Sequence, residues 1–111
     1  MRIRLIDPID AVITAGAAKS IGAIADVSPG GFFVKSPLLP PEGTMVRAEL
    51  TTRTGWRFPV HGVVRWNTGL AQRHFDFSGF GVRLTRYSEA YAGFVDGALA
   101  VLGPAPGEDP D

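Results

Sequence analysis

The segment Asp26-Val27-Ser28-Pro29-Gly30-Gly31 places a carboxylate, a hydroxyl and two glycines within six residues. Aspartate and serine side chains can accept hydrogen bonds from exposed backbone N–H groups, and glycine allows positive φ angles. By this local chemistry alone, the segment is explained by a hairpin turn of the Asx type. A binding role for it requires support from the rest of the chain.

Catalytic and metal-binding patterns are poorly supported. The chain has no cysteine and two histidines, His61 and His74, with Asp76 close to the second. A zinc site needs three or four convergent ligands, and these residues are few and irregularly spaced. Ser28, His61 and an aspartate would supply the residue types of a catalytic triad, but nothing resembles a nucleophile elbow or an oxyanion hole. We therefore predict a protein that is not an enzyme and that has no metal or cofactor.

Composition predicts one small domain whose body carries a modest positive charge. The chain has 111 residues, of which 45% are hydrophobic, enough for one core. Eleven basic residues balance eleven acidic ones, but Glu108, Asp109 and Asp111 lie in a Pro/Gly-rich end. Without residues 108–111 the count is 11 basic against 8 acidic, a net charge of +3. This charge is compatible with a small anionic ligand and is too low for a DNA-binding surface.

Targeting signals are not evident. The N-terminus lacks a long apolar stretch before Asp7, and no apolar run approaches the length of a membrane span. These features predict a cytoplasmic protein that does not insert into a membrane.

The elements that must position these residues are short strands, because 14 glycines and 9 prolines interrupt the apolar runs. Six strands are predicted, at residues 11–15, 19–27, 32–36, 44–50, 57–66 and 80–84. A single amphipathic helix follows, with Ser88 as its N-cap and Gly103-Pro104 as its end. The prediction is a mainly β fold, a six-stranded antiparallel barrel covered by one C-terminal α-helix. Residues 1–103 form the domain, and residues 104–111 are predicted to be a disordered acidic tail.

Alternation along two strands predicts which side chains enter the core. In the second strand, Val27 falls on the same face as Ile21, Ala23 and Ala25. In the fifth, Trp66 falls on the face of Phe58, Val60 and Val64. Successive side chains in a strand point to opposite faces, so each set is expected to share one side of the sheet.

Several short motifs occur in an order that resembles the PilZ domain family, many members of which are receptors for cyclic di-GMP. The Asp-x-Ser-x-x-Gly segment at 26–31 is followed by the apolar strand 32–34 and by Pro-Pro-Glu-Gly-Thr at 40–44. Next come Val-His-Gly-Val-Val-Arg-Trp at 60–66, Gly-Phe-Gly-Val-Arg-Leu at 79–84 and the terminal helix. The resemblance spans residues 4–102 and implies the PilZ split barrel.

The resemblance also implies a ligand site with two halves. In the family, an Arg-x-x-x-Arg segment precedes the aspartate motif; here Arg4 matches its second arginine, Arg2 has a different spacing, and the first arginine would precede Met1. Loss of one charge-assisted contact costs about 1.5–3 kcal/mol, or roughly ten- to a hundredfold in affinity. Weak or lost cyclic di-GMP binding is therefore expected. The candidate nucleotide-binding residues are Arg2, Arg4, Asp26, Ser28, Gly30 and Gly31.

Aromatic residues suggest a second kind of surface. Phe32 and Phe33 are adjacent in a strand, so one of them is exposed unless the helix or a partner covers it, and Phe75 and Phe77 lie in a predicted loop. These four residues are candidate contacts for a protein partner. For the loop, the alternative is that it folds back over one end of the barrel.

Three functional hypotheses remain open. The first is a PilZ-type bacterial signalling adaptor that regulates motility or envelope processes through protein contacts, with weak or lost cyclic di-GMP binding. The second is a functional cyclic di-GMP receptor that uses Arg4 and the Asp26-x-Ser28-x-x-Gly31 motif. The third is single-stranded nucleic-acid binding, against which the scattered basic residues and zero net charge argue.

Overall fold

The computed structural model describes residues 1–69 and 78–105. Within them the chain forms six strands and one helix. The elements are β1 (Ile3–Ala15), β2 (Ala18–Ser28), β3 (Gly31–Lys35), β4 (Met45–Thr51), β5 (Arg57–Asn67), β6 (Gly79–Leu84) and α1 (Glu89–Leu102).

The strands close into a barrel in the order β1-β2-β3-β6-β5-β4. Each neighbouring pair is antiparallel, and the β1–β4 ladder closes the ring. The predicted mainly β fold, a six-stranded antiparallel barrel with one C-terminal helix, is confirmed. No helix among the described residues is long and apolar enough to cross a membrane.

β1 is longer than predicted, since it begins at Ile3 and not at Ala11. Its first half is irregular: Arg4 pairs with Asp26 and Ile9 with Ile24, so five steps along β1 span only two along β2. Asp7 and Pro8 lie inside this irregularity, where a residue without an N–H does not remove a regular ladder bond. The same two residues break the apolar alternation, which is why the strand was not predicted there.

A bulge in β2 corrects the predicted face of Val27. Ile24 pairs with Val34 and Asp26 with Phe33, so Ala25 is an extra residue against β3. A bulge of one residue reverses the side on which later side chains fall. As a result Val27 shares the core with Ile24, while Ile21, expected on the face of Val27, is 73% exposed.

A second bulge, in β5, corrects the predicted position of Trp66. Val64 pairs with Val82 and Trp66 with Gly81, which leaves Arg65 as the extra residue. Phe58, Val60 and Val64 enter the core as expected, but the bulge turns Trp66 out of it, and its side chain is 43% exposed.

α1 covers part of the barrel. It begins and ends where its capping residues, Ser88 and Gly103, predict. The Ser88 side chain accepts a hydrogen bond from the backbone N–H of Tyr91 at 3.1 Å, and Gly103 at φ 70° donates its N–H to the Leu99 carbonyl. Tyr91 and Val95 are the buried residues of its inner face. Beyond the helix, the Ala105 N–H donates to the Arg2 carbonyl at 2.8 Å, so the chain leaves α1 beside the start of β1. Residues 106–111, most of the predicted tail, lie outside the described residues.

Candidate functional site

A cleft of about 260 Å³ lies beside the turn that connects β2 to β3. Its walls come from the start of the chain, the end of β2, β3, the β5 bulge and β6. The described polar, aromatic and glycine residues along it are Arg2, Asp26, Ser28, Gly30, Gly31, Phe32, Phe33, Arg65, Trp66, Gly81 and Arg83.

The turn is shaped by close approach of β3 to β6. A Cβ atom on Gly31 would lie 2.0 Å from the Val82 carbonyl oxygen, so only glycine fits there. Gly30 has open space around it, and its carbonyl accepts a hydrogen bond from the Leu84 N–H at 2.8 Å. The Ser28 hydroxyl donates to the Gly31 carbonyl at 3.3 Å. The two glycines therefore have different roles: Gly31 permits strand packing, and Gly30 leaves the turn open to the cleft.

Tyr91 of α1 anchors the same turn from inside the barrel. Its hydroxyl lies 2.8 Å from the Ser28 carbonyl oxygen and 2.5 Å from the Gly31 carbonyl oxygen, so its single proton is shared between two acceptors. Burial raises the pKa of Tyr91 above its ordinary value; the Ser28 hydrogen bond opposes the rise and the charge of Asp26 adds to it. The hydroxyl therefore stays protonated at neutral pH and links the helix to the turn.

Five of the six predicted nucleotide-binding residues line this cleft: Arg2, Asp26, Ser28, Gly30 and Gly31. The sixth, Arg4, is exposed and lies opposite Asp26 in the β1–β2 ladder, but it is not part of the cleft lining. Arg4, whose spacing matches the family motif, thus lies outside the cleft, whereas Arg2, whose spacing differs, lines it.

Motif spacing did not predict three further cleft residues, Arg65, Trp66 and Arg83. Arg65 is the bulge residue of β5, and Trp66 follows it. Arg83 pairs with Gly31 across the β3–β6 ladder, which brings it to the Asp26–Gly31 turn. The alternation in Gly79-Phe80-Gly81-Val82-Arg83 does predict that Arg83 shares a face with two glycines. This pattern is the sequence feature that could have identified Arg83 as a cleft residue.

Trp66 forms an aromatic wall of the cleft. Its ring stacks on Phe33 with a centroid distance of 5.1 Å and an interplanar angle of 22°. A Cβ atom on Gly81 would lie 2.5 Å from Trp66 Nε1, so the missing side chain at Gly81 is what lets the indole lie against β6. The indole remains partly exposed, as a stacking surface requires.

The two adjacent phenylalanines are both covered. Phe32 enters the core beside Tyr91 and is 5% exposed, while Phe33, on the outer face, is 7% exposed under Trp66. The outward ring is thus covered by a neighbour in the same chain. As described, neither phenylalanine offers the exposed surface expected of a partner contact; Phe75 and Phe77 lie outside the described residues.

The cleft has an excess of positive charge. Among the described residues, three guanidinium groups line it, from Arg2, Arg65 and Arg83, against one carboxylate, that of Asp26. Guanidinium groups bind phosphate and carboxylate oxygens bidentately and can stack on aromatic planes. Among the described residues no group of three or more His, Cys, Asp or Glu could hold a metal ion. The arrangement is suited to binding an anionic, partly aromatic ligand.

Sequence comparison agrees with the fold. The family model of the PilZ domain matches residues 2–95, and the chain belongs to the PilZ domain family. PilZ domains are signalling and binding modules, and the one from YcgR was solved with cyclic di-GMP. No curated protein matches the chain at the level of sequence.

Solved structures share the barrel at low sequence identity. The PilZ domain of YcgR from Escherichia coli, solved with cyclic di-GMP, aligns with a TM-score of 0.67 at 16% identity, covering 92% of this chain and 88% of that one. The PilZ domain of CeSA from a cellulose-synthesising bacterium aligns with a TM-score of 0.57 at 16% identity, covering 92% and 94%. The Bacillus subtilis inhibitor of motility, MotI, aligns with a TM-score of 0.69 at 12% identity, covering 90% of this chain and 49% of MotI. The chain thus spans about half the length of MotI.

Proposed function

We propose that this PilZ domain is a bacterial receptor for cyclic di-GMP and binds it in the cleft beside the Asp26–Gly31 turn. The observation that carries the proposal is the convergence of Arg2, Arg65 and Arg83 with Asp26 and Trp66 in one cleft. This is the receptor hypothesis of the sequence analysis, with one change. Arg2, and not Arg4, supplies the arginine from the start of the chain.

The charged residues and the tryptophan of the cleft each match a chemical group of the ligand. Cyclic di-GMP carries two phosphate charges and two guanine bases, and arginine can pair bidentately with a phosphate or with the acceptor edge of guanine. Asp26 accepts hydrogen bonds from the guanine donor edge, and a base stacks on the exposed face of Trp66. The open turn at Gly30 lets the ligand approach the backbone.

The test is calorimetric titration of cyclic di-GMP at low salt with wild type, Asp26→Ala and Asp10→Ala. Asp10 is another strand aspartate, more exposed than the half-buried Asp26, and does not line the cleft, so its replacement is the control. We expect dissociation constants in about the micromolar range for wild type and Asp10→Ala, and none measurable for Asp26→Ala. Absence of both heat and thermal shift at about millimolar ligand would refute the receptor.

A protein-contact role, the adaptor hypothesis, is supported by a different surface. A groove of about 700 Å³ runs between α1, the first half of β1 and the β4–β5 turn. Ile6 and Val101, on opposite walls, are 79% and 83% exposed. Exposed apolar side chains that line one groove are a feature of interaction sites. In the adaptor hypothesis this groove contacts a protein of a motility or envelope system.

The adaptor role predicts that the groove and the cleft can be separated by mutation. Ile6→Glu with Val101→Glu should abolish an effect of the expressed domain on swimming in soft agar and leave the calorimetric affinity unchanged. Ile21→Glu, at an exposed apolar site outside the groove, is the control. If swimming responds equally to the groove variant and to wild type, this surface does not carry the adaptor role.

A further inference from the structure

The outer surface of β4, β5 and β6 carries a cluster of basic side chains. Arg47 of β4 lies directly opposite His61 of β5, and Arg83 of β6 lies opposite Val63, two residues further along β5. Arg65, the bulge residue, follows Val63 by two more positions. The three arginines are exposed, and His61 is half-buried. Arg47, His61, Arg65 and Arg83 together form the basic face.

Acidic residues do not balance this charge. β5 and β6 contain no aspartate or glutamate, and the acidic residue of β4, Glu49, lies 3.9 Å from the guanidinium group of Arg57. Within residues 1–69 and 78–105, none of Arg47, Arg65 and Arg83 forms an ion pair. Like charges on neighbouring strands destabilise a sheet. The arrangement therefore opposes folding, and an anionic partner would relieve the repulsion.

The size of the basic face fits a short peptide. Arg47 and Arg83 are two strand spacings apart, about 10 Å, and the step from His61 to Arg65 along β5 is about 13 Å. An extended peptide covers such a distance with about four residues. Lipid surfaces and nucleic acids are bound by larger clusters, of about four to ten basic residues. The dimensions therefore favour a peptide over either of these.

An exposed apolar side chain adjoins the basic face. Met45 is 59% exposed and lies two residues from Arg47 in β4. It pairs with Val63, which in turn pairs with Arg83. Methionine is flexible and packs against apolar side chains of varied shape. The complementary partner is thus a segment with several carboxylates and an apolar residue among them.

We propose that the basic face docks an acidic peptide segment of a partner protein. Carboxylates accept the same bidentate hydrogen bonds from guanidinium groups as phosphates do. Arg65 and Arg83 also line the cleft, whereas Arg47 does not. A ligand in the cleft therefore removes two of the three arginines from the docking surface. Release of the partner by cyclic di-GMP rests on the proposed function; docking itself stands on charge, register and exposure.

Docking is tested with a fluorescent peptide of glutamates around one central leucine, titrated with the unliganded domain at low salt. Anisotropy should give a dissociation constant of about 100 micromolar, and the same peptide with glutamine in place of glutamate should not bind. Arg47→Glu should weaken binding about tenfold, because it reverses a charge that the peptide contacts. Circular dichroism checks that this exposed substitution keeps the barrel.

The matched control is Arg53→Glu. It makes the same change in net charge at an exposed arginine that belongs to neither the basic face nor the cleft. Peptide affinity should change less than about twofold, because a distant exposed charge is screened by salt. An equal loss in Arg47→Glu and Arg53→Glu overturns docking at the basic face, since only net charge would then matter.

Release is tested by adding cyclic di-GMP to the complex of domain and peptide. Saturating ligand should weaken peptide binding about fivefold or more, and by linkage the peptide should weaken ligand binding by the same factor. Arg47→Glu should change ligand affinity less than about twofold, because Arg47 lies outside the cleft. Ligand binding that leaves the peptide affinity unchanged overturns the shared use of Arg65 and Arg83.

The outcomes separate docking from the receptor function. No peptide binding at about millimolar concentration overturns docking, as does binding that Arg47→Glu leaves unchanged. Vesicles of anionic phospholipid, or single-stranded DNA, that bind through Arg47 more tightly than the peptide does overturn the choice of a peptide. Peptide binding that depends on Arg47, with no cyclic di-GMP binding by any variant, supports docking and overturns the receptor.

Discussion

At the scale of single residues, the two glycines of the turn make a matched pair. Gly31→Ala would place a Cβ atom 2.0 Å from a backbone oxygen that cannot move without disrupting the β3–β6 ladder, whereas Gly30→Ala would meet open space. We expect Gly31→Ala to lower the free energy of unfolding by about 3 kcal/mol or more and Gly30→Ala by less than about 1 kcal/mol. Urea denaturation measures both, and equal losses would contradict the packing role assigned to Gly31.

Replacement of Trp66 is expected to weaken stacking on the ligand without disrupting the fold. Trp66→Ala should weaken cyclic di-GMP binding by about five- to a hundredfold, because base–aromatic stacking contributes about 1–3 kcal/mol per base. Trp56→Ala removes the other, comparably exposed tryptophan, which does not line the cleft, and should leave the affinity unchanged. Circular dichroism checks that both variants keep the barrel. Loss of affinity in both would mean that the effect is not local to the cleft.

At the scale of elements, Tyr91 connects α1 to the β2–β3 turn. Tyr91→Phe removes the hydroxyl that serves the carbonyls of Ser28 and Gly31, and should lower the free energy of unfolding by about 1–3 kcal/mol. The control is Tyr87→Phe, since Tyr87 is exposed at the start of the helical region. A stability of Tyr91→Phe equal to that of wild type in chemical denaturation would rule out an anchoring role for the hydroxyl.

The same hydroxyl predicts a pH dependence. Burial raises the pKa of Tyr91 in the folded state, so above about pH 10 the unfolded chain loses a proton that the folded chain keeps. The stabilisation is complete below that pH and is lost as the pH rises, by up to about 1.4 kcal/mol per pH unit. The difference in unfolding free energy between wild type and Tyr91→Phe should therefore shrink above about pH 10. A constant difference across that range would contradict the assignment.

Element types were predictable because their signals are local. Ser88 and Gly103 bound the helix through bonds within one turn of it, and alternation at Phe58, Val60 and Val64 identifies a core-facing strand. Bulges are not local signals. Ala25 and Arg65 are ordinary strand residues in the sequence, and only the register of the neighbouring strands makes them extra. The faces of Val27 and Trp66 therefore could not be predicted from alternation.

At the scale of the whole molecule, the cleft was partly predictable. The Asp26–Gly31 segment is contiguous, so its spacing could be recognised, and Arg2 was a candidate. Arg65 and Arg83 come from β5 and β6 and reach the turn only because β6 lies between β3 and β5 in the barrel. Strand order is set by the closed arrangement of all the strands, which no short window of sequence encodes.

Net charge of the whole molecule does not describe this cleft. The chain is neutral overall, but the cleft lining that the structure describes carries three arginines against one aspartate. We expect the dissociation constant for cyclic di-GMP to rise severalfold between low salt and about 0.5 M salt, where the screening length falls to a few ångströms. Calorimetry across a salt series measures it. A salt-independent dissociation constant would indicate that stacking alone holds the ligand.

The closed ring of strands also limits how this domain can associate. Because β1 pairs with β4 over Asp10–Thr14, each strand of the barrel has a hydrogen-bonded neighbour on both sides over at least part of its length. An open sheet exposes edge N–H and C=O groups on which another chain can add a strand, and closure removes that template. Fusion of this domain to other modules, or crowding at high concentration, should therefore not promote edge-to-edge polymerisation. Over the paired parts of these strands, recognition by another macromolecule has to depend on side chains.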